Sequence, residues 1–300
     1  MKMVDDLTGQ ILGRNYRVVR LLEVGEISTL YAAETADYAR PFTLEMFHSE
    51  LIEREECRLF IRAAMSAVEV SHPHIVSFID LTKVDEMDDG IDGATPLVVW
   101  EELDGESLAR VLQRLGRIMP RRAARIAIQT LSALGAAHAK HVVHGAITPA
   151  TIFLMDLVAV DGDVVKVRGF CSARALAALA AKRRPPQMSA RARFLSPPEG
   201  RDGGELDARS DLYAVAATIY LAVSGLREVD LAALEDVPPL ASLGLDIDDE
   251  LSAIVARGLS ADPGDRHASA RDMEIAFRRW LGIGLTDEDD EHTPDAVVLR

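Results

Sequence analysis

The stretch His144–Thr151 reads H-G-A-I-T-P-A-T, and the stretch Val165–Cys171 reads V-K-V-R-G-F-C. An amphipathic segment, Pro120–Lys140, precedes the first stretch and opens with a proline, a residue favoured at the first position of a helix. Apolar alternation over Thr151–Val160 and Val164–Arg168 predicts a small β hairpin that leads into the second stretch. The first stretch is therefore predicted to be a loop between a long helix and a β hairpin, and the second stretch begins in the last strand of that hairpin.

The rest of the chain divides into a strand-rich first third and a helix-rich remainder. Apolar alternation at Tyr16–Val24 and Ser28–Glu34, separated by Gly25, predicts a hairpin. Helical spacing over Leu51–Val70 predicts one helix within the first third, which ends before Pro73. Further predicted strands are Phe42–Phe47, Ile75–Thr82 and Leu97–Leu103, and further predicted helices are Ser107–Leu115, Asp211–Ser224, Asp249–Leu259 and Ser269–Trp280. This layout predicts an α+β fold with two lobes.

Composition and charge argue against several classes of protein. The 300 residues carry a net charge of −15, and nucleic acid is not an expected partner because phosphate binding needs a basic surface. No run of about eighteen apolar residues occurs, so neither a membrane span nor a secretory signal is expected. The two cysteines, Cys57 and Cys171, are far apart, which argues against a disulfide framework or a zinc site. We expect a cytoplasmic protein with reduced thiols.

The charge is unevenly distributed along the chain. Between Arg168 and Pro198 there are seven basic residues and no Asp or Glu, whereas the run Asp287–Glu291 is entirely acidic. We expect residues 282–300 to be a disordered acidic tail. The basic residues form either a solvated face or a docking surface, for an acidic partner or for the chain's own tail. The candidate partner-binding residues are Arg174, Lys182, Arg183, Arg184, Arg191 and Arg193.

Five further motifs carry a resemblance to a known family. They are S-H-P-H-I-V from Ser71, E-L-D-G-E-S-L from Glu102, P-P-E from Pro197, D-A-R-S-D-L-Y from Asp207 and D-P-G-D-R from Asp262. Together with the two stretches quoted first, they resemble the bacterial Hanks-type Ser/Thr protein kinases over about Tyr16–Trp280. The resemblance implies a bilobal protein-kinase-like fold, with a small β-rich N-lobe and a larger helical C-lobe. It divides the chain into an extension at 1–14, an N-lobe at about 15–103, a C-lobe at about 104–281 and the tail.

The resemblance also implies structural roles for five residues. Glu199 and Arg266 are expected to form a buried ion pair. Asp211 is expected to hold the backbone of the 144–151 loop, and His144 is expected to stack on Phe170.

The residues that handle phosphate and metal in this family are replaced. The family pattern places a catalytic Asp, a Lys, a metal-binding Asn, a metal-binding Asp, the strand-three Lys and its Glu partner at six positions. Those positions hold Ala146, Thr148, Thr151, Gly169, Glu45 and Ala63, respectively. A carboxylate at 45 repels phosphate instead of attracting it, and without the metal ligands phosphoryl transfer loses its main electrostatic stabilisation. The sequence therefore predicts no metal and no cofactor.

The cleft that binds the nucleotide base in this family is also predicted to be altered. Its glycine-rich loop keeps only the middle glycine, Gly25, and Glu23 and Glu26 add negative charge. Larger side chains are expected to fill the slot, with Trp100 at the gatekeeper position, Thr43 above the base and Phe153 below it. The other residue aligned with this vestigial cleft is Leu30.

Three functions follow from this pattern. The first is a pseudokinase that is not an enzyme and acts as a protein-binding adaptor or allosteric regulator in Ser/Thr kinase signalling, with an active kinase or an acidic signalling protein as partner. The second is a kinase-fold enzyme with relocated nucleotide chemistry, for which Glu23, Glu26 and Glu45 are the candidate carboxylates. The third is a domain that binds ATP without hydrolysing it.

Overall fold

The N-terminal part of the molecule is a twisted sheet of six antiparallel strands in the order β1-β2-β3-β4-β6-β5. The computed structural model describes residues 7–13, 15–24, 28–35, 41–48, 70–83, 95–155, 162–170, 189–201, 204–233 and 236–284. The strands of this sheet are β1 (Ile11–Leu12), β2 (Tyr16–Val24), β3 (Ser28–Thr35), β4 (Pro41–Phe47), β5 (Phe78–Lys83) and β6 (Pro96–Glu101). Leu44 and Val99 are fully buried, and they pack with Tyr31 and Phe42 in a small core of their own.

The C-terminal part is helical and holds one small antiparallel sheet, β7-β8-β9. Its strands are β7 (Gly105–Ser107), β8 (Ile152–Met155) and β9 (Val164–Val167). Its helices are α1 (Leu108–Leu115), α2 (Pro120–His138), α3 (Ala190–Leu195), α4 (Pro198–Arg201), α5 (Ala208–Ser224), α6 (Glu228–Ala232), α7 (Asp249–Gly258) and α8 (Ala270–Leu281). Single 3-10 turns lie at Leu240–Leu243 and Pro263–Asp265.

Helix α5 is the centre of this lobe. Every residue from Ser210 to Val223 is buried, and helices α2, α3, α7 and α8 all pack against it. Asp207 caps its first turn by accepting from the amides of Arg209 and Ser210, and Gly225 ends it in the left-handed conformation that glycine favours. The loop His144–Thr151 therefore lies beside the most rigidly packed element of the molecule.

The α+β two-lobed layout predicted from the sequence is confirmed, with local corrections. Helix α5 begins three residues earlier than predicted, because Asp207 caps it. The predicted strand Ile75–Thr82 begins only at Phe78, because Ile75 instead forms a parallel bridge with Val167 in the other lobe. The predicted helix Leu51–Val70 lies outside the described residues except for Val70, as does the tail from 285 onwards. The domain boundaries stay a prediction.

Short elements were not predicted at all: β1, β7, α3, α4 and α6 are each six residues or fewer, too short for a clear apolar period. Among the described helices, none combines the length and the apolar character needed to cross a membrane.

Candidate functional site

The 144–151 loop is fixed to helix α5 by a single buried carboxylate. Asp211 is fully buried, and its oxygens accept from the backbone amides of His144 at 2.9 Å and Gly145 at 2.7 Å. The ring of His138, at the end of α2, lies 2.8 Å from the same carboxylate. Asp211 thus sets the position of the loop backbone through three contacts.

His144 links this loop to the second stretch, Val165–Cys171. Its ring lies 4.5 Å from the ring of Phe170 with an interplanar angle of 60°. Because Nδ1 accepts from the amide of Ala146, Nε2 carries the proton and donates to the carbonyl of Arg168 at 2.9 Å. Burial lowers the pKa of His144, against the opposing charge of Asp211, so the ring is neutral at physiological pH.

Two of the residues at the metal and phosphate positions, Thr148 and Thr151, are hydrogen-bonded to each other. The Thr151 hydroxyl donates to the carbonyl of Thr148 and accepts from its amide, both at 3.0 Å. Gly169 has φ +96° and offers no side chain, and Ala146 presents a methyl group. Divalent metals need carboxylate or comparable oxygen ligands. This donor set does not fit a metal, and no group of three or more His, Cys, Asp or Glu that could hold one occurs among the described residues.

Glu45 is buried in the sheet and hydrogen-bonded to side chains on both neighbouring strands. Its carboxylate accepts from Ser28 Oγ at 2.8 Å and from the indole Nε1 of Trp100 at 3.0 Å. The sheet register places Leu30 opposite Glu45 and Thr43 opposite Trp100. The structure therefore brings four of the predicted cleft residues together, with Trp100 turned towards the carboxylate and packed edge-on against Phe78.

We predict that Trp100→Phe lowers the free energy of unfolding by about 1–3 kcal/mol, because a buried carboxylate loses a donor. Trp280→Phe is a matched control, since the Trp280 indole also donates to a carboxylate, that of Asp248, but at an exposed site. Urea unfolding of both variants measures the difference. Equal losses of unfolding free energy in Trp100→Phe and Trp280→Phe would contradict a specific contribution from the hydrogen bond between Trp100 and Glu45.

Arg168 connects the two lobes across the front of the cleft. Its guanidinium donates to Glu23 of β2 at 2.8 Å and lies over the ring of Phe153 in β8, 4.8 Å from the ring centroid. Glu23 stands at the first glycine position of the family's loop, and Phe153 is the predicted floor of the cleft. The Arg168 guanidinium thus contacts residues on both sides of the cleft in which this family binds its nucleotide. From the sequence, Arg168 was identified only as one charge of a basic segment, because 145 residues separate it from Glu23.

A double-mutant cycle tests this connection. Arg168→Ala and Glu23→Ala should show a coupling energy of up to about 1 kcal/mol, the upper range for a partly exposed pair. The Arg17–Glu34 pair of the same sheet, at 3.6 Å and with both side chains about a third exposed or more, is the control and should couple more weakly. Zero coupling between 168 and 23 contradicts the interlobe contact.

A second interlobe contact lies at the back of the cleft and was also missed. Lys166 of β9 donates to Glu101 at the end of β6 at 2.6 Å and to the carbonyl of Ile75 at 3.3 Å. Glu101 also accepts from the amide of Ser77. These groups fix the connection between the lobes behind the predicted cleft.

Glu199 and Arg266 form a bidentate ion pair beneath helix α5. The two guanidinium nitrogens donate to the two carboxylate oxygens, each at 2.8 Å, and Ser210 Oγ donates to the same carboxylate at 2.7 Å. Arg266 is 1% exposed, and it also donates to three backbone carbonyls and lies over the ring of Tyr213. Burial alone raises the pKa of Glu199, but the hydrogen bonds from Arg266, its own backbone and Ser210 lower it to about 2.

A pocket of about 490 Å³ opens between the 144–151 loop and helix α3. We call it the loop pocket. Residues 145–150 form one wall, α3 and the segment Leu195–Pro197 form the opposite wall, and Ser210 and Ala214 of α5 lie at its base. Ala146 and Thr148 both line it, so the positions of the family's Asp and Lys carry a methyl and a hydroxyl group here. The loop residues were identified from the sequence, but the pocket was not, because helix α3, which forms part of its wall, was not predicted.

Seven predicted site residues lie outside the described part of the chain. They are Gly25, Glu26, Ala63, Arg174, Lys182, Arg183 and Arg184. Of the candidate partner-binding residues, Arg191 and Arg193 are described and lie on α3, and Arg191 lines the loop pocket.

Comparison with known proteins places the chain among the protein kinases. The protein kinase domain model matches residues 16–231. The serine/threonine-protein kinase PknB of Mycolicibacterium smegmatis is 28% identical over 283 residues, covering 91% of this chain and 44% of PknB. The serine/threonine-protein kinase pkn3 of Myxococcus xanthus is 29% identical over 281 residues, covering 89% of this chain and 50% of pkn3. The chain therefore spans about half the length of these curated relatives.

A solved structure shares the fold. The PknI kinase domain of Mycobacterium tuberculosis superimposes with a TM-score of 0.70 at 22% identity, covering 91% of this chain and 99% of that domain. The two-lobed arrangement is thus that of a protein kinase domain.

These comparisons correct one expectation. The sequence analysis predicted that the chain is not an enzyme, and that prediction is contradicted, because the matched domain and the relatives are those of serine/threonine-protein kinases. At 28–29% identity this assignment holds at the level of the family. Fold, loop geometry and matched residues agree, and the chain belongs to the protein kinase family.

Proposed function

We propose that this chain acts in Ser/Thr kinase signalling as a protein-binding adaptor or allosteric regulator, and that the loop pocket holds a segment of its partner. The observation that carries the proposal is the chemistry of that pocket. Where the family pattern has an Asp and a Lys, this pocket has Ala146 and Thr148. Such a volume lies within the range of ordinary ligand sites, about 300–1,000 Å³.

The hydroxyl groups that line the pocket are already used by the protein itself. Ser196 donates to the carbonyl of Ala192, and Ser210 donates to Glu199. Ser189 accepts from the amide of Ala192, and Thr148 accepts from that of Ala150. Because these polar groups have partners, the surface left for a ligand is mostly the apolar part of the walls. This favours an aliphatic side chain as the occupant.

Charge at the rim favours an acidic neighbour for that side chain. Arg191 is the charged residue among the described residues that line the pocket, and Arg193 lies two positions further along α3. The amide of Arg191 donates to Glu228 of α6 at 3.1 Å, so one carboxylate already faces this end of the helix. The Arg191 guanidinium supplies positive charge at the pocket. The proposed partner is a cytoplasmic protein, an active kinase or an acidic signalling protein, that offers an aliphatic residue next to acidic ones.

Site-specific photocrosslinking in the native host tests the proposal. Ala150 is exposed at the pocket, and a photoreactive amino acid there should capture a partner protein. The same label at Val237, which is exposed and not part of the pocket, is the control. Ala192→Trp should fill the pocket and abolish the capture, and binding of the identified partner is then measured with purified proteins. Equal capture from 150 and 237, or capture that survives Ala192→Trp, contradicts the proposal.

A second candidate is group transfer with relocated residues, and the family assignment itself favours it. Phosphoryl transfer by this chain would have to use groups other than the side chains at 146, 148, 151 and 169. Two of the candidate carboxylates are described, and both are engaged, Glu45 with Trp100 and Glu23 with Arg168. Transfer of labelled phosphate from ATP in the presence of Mg²⁺, lost in Glu23→Gln or Glu45→Gln, would support this candidate.

A further inference from the structure

The loop pocket has a candidate occupant within the chain itself. Residues 286–299 read T-D-E-D-D-E-H-T-P-D-A-V-V-L and lie outside the described residues. This segment combines an acidic run, Asp287–Glu291, with an aliphatic cluster, Ala296–Leu299, that directly follows Asp295. A carboxylate next to aliphatic side chains is the chemistry that the pocket favours.

We propose that the segment 286–299 binds the loop pocket of the same molecule, with Val298 in the pocket and Asp295 beside Arg191. This inference rests on the proposed function, because it makes the segment a competitor of the partner for the same site. The chain would then regulate access to its own pocket.

Charge complementarity supports this occupant. The segment carries six carboxylates and no Lys or Arg, whereas the pocket wall on α3 carries Arg191. The Arg191 guanidinium has no hydrogen bond or ion pair within the part of the chain that the structure describes, so it is available to a ligand. Successive residues of an extended chain are about 3.3 Å apart, so Asp295 stays close to the pocket when Val298 is bound in it. At that position Asp295 has only to reach Arg191.

The length of the segment sets how far it can reach. Helix α8 ends at Leu281, and the chain is described as far as Gly284. Fourteen extended residues, from 284 to 298, span about 46 Å. A compact lobe of about 180 residues has a diameter on the order of 40 Å. Both Gly284 and the pocket belong to the C-lobe, so the extended segment is about as long as the lobe is wide.

Tethering makes a weak contact effective. Where the tether spans the distance without being fully extended, its effective concentration is in the millimolar range, and a segment with a dissociation constant near 0.1 mM would then occupy the pocket about nine-tenths of the time. A partner would then bind with an affinity reduced by about tenfold relative to an open pocket.

Crosslinking from Ala150 in the full chain tests the contact. The photoreactive label at 150 should capture residues 286–299 within the same molecule, at a yield that does not depend on protein concentration. The label at Val237 should not capture them. Capture that rises with concentration would mean that a second copy supplies the segment, and absence of this capture would overturn the proposal outright.

Peptide binding tests the competition. The probe is a fluorescent synthetic peptide of residues 286–299, added to the full chain. Val298→Asp should weaken the attached segment and raise the affinity for the probe by about tenfold. Val237→Asp, a matched change at an exposed valine outside the pocket, should leave the affinity unchanged. Ala192→Trp combined with Val298→Asp should abolish probe binding. Equal affinities for the native chain and Val298→Asp contradict the proposal.

The two proposals fail in different ways. If the label at 150 captures the segment but no other protein, partner binding at the loop pocket is contradicted and binding of the segment 286–299 is supported. If the label captures a partner and the probe does not bind to Val298→Asp, binding of the segment is contradicted and the loop pocket is still supported as the partner's site.

Discussion

Asp211→Ala should lower the free energy of unfolding by about 3–5 kcal/mol. The variant removes the acceptor of two buried backbone amides, those of His144 and Gly145, and of the His138 ring. Hydrogen bonds to a charged group are each worth about 1.5–3 kcal/mol, and donors left unsatisfied in the interior cost further stability. The 144–151 loop should lose its fixed position as a result.

Denaturant unfolding and amide exchange together measure this effect. Exchange at residues 144 and 145 should become much faster in Asp211→Ala. Asp207→Ala, which removes only the cap at the start of the same helix, should cost about 1 kcal/mol and leave those two amides protected. If Asp211→Ala does not fold, Asp211→Asn keeps the side-chain volume and one acceptor and should give an intermediate result. A loss no larger than that of Asp207→Ala contradicts the role of Asp211.

Glu199→Gln should destabilise the protein by about 3–5 kcal/mol, because it leaves Arg266 as an uncompensated charge in the interior. Arg266→Met should be comparably harmful, since it removes the partner that neutralises Glu199. Glu34→Gln breaks a surface pair and should cost less than about 1 kcal/mol. Chemical unfolding of the three variants compares them directly. Similar losses for Glu199→Gln and Glu34→Gln would contradict a buried, stabilising pair.

The same pair predicts a dependence of stability on acid pH. The pKa of Glu199 falls from its ordinary 4.5 to about 2 in the folded protein. A group whose pKa is depressed on folding stabilises the protein above its unfolded pKa, and that contribution disappears as pH falls through the folded pKa. The native protein should therefore lose this stability between about pH 4.5 and 2, and Glu199→Gln should lack this part of the loss. Unfolding curves that keep the same pH slope in the variant would contradict the assignment.

The two-lobed layout could be predicted from the sequence because its signals are local. The helix predicted at Asp211–Ser224 lies wholly within α5, Ala208–Ser224, because helical spacing is a property of one continuous segment. The hairpin Tyr16–Val24 and Ser28–Glu34 follows from alternation along each strand, and the structure has it at nearly the same bounds.

The contacts within the cleft could not be predicted in the same way. Trp100 donates to a carboxylate 55 residues away, and Arg168 pairs with Glu23 at a separation of 145 residues. Which side chains meet depends on strand register, and β2 has irregularities on either side of Arg20. The sequence analysis therefore identified Glu45 and Trp100 as separate replacements, whereas the fold joins them by a hydrogen bond.

The two interlobe contacts differ in their exposure to solvent, and this makes the angle between the lobes sensitive to ionic strength. At the front, Glu23 is 53% exposed and Arg168 24%, while at the back Glu101 is 29% exposed and Lys166 17%. Dissolved ions screen exposed charges over about 8 Å at physiological salt and act much less on buried ones. Rising salt should therefore release the front contact first and leave the back contact as a hinge. A pair of fluorophores across the front of the cleft would then report the salt concentration as a change in distance.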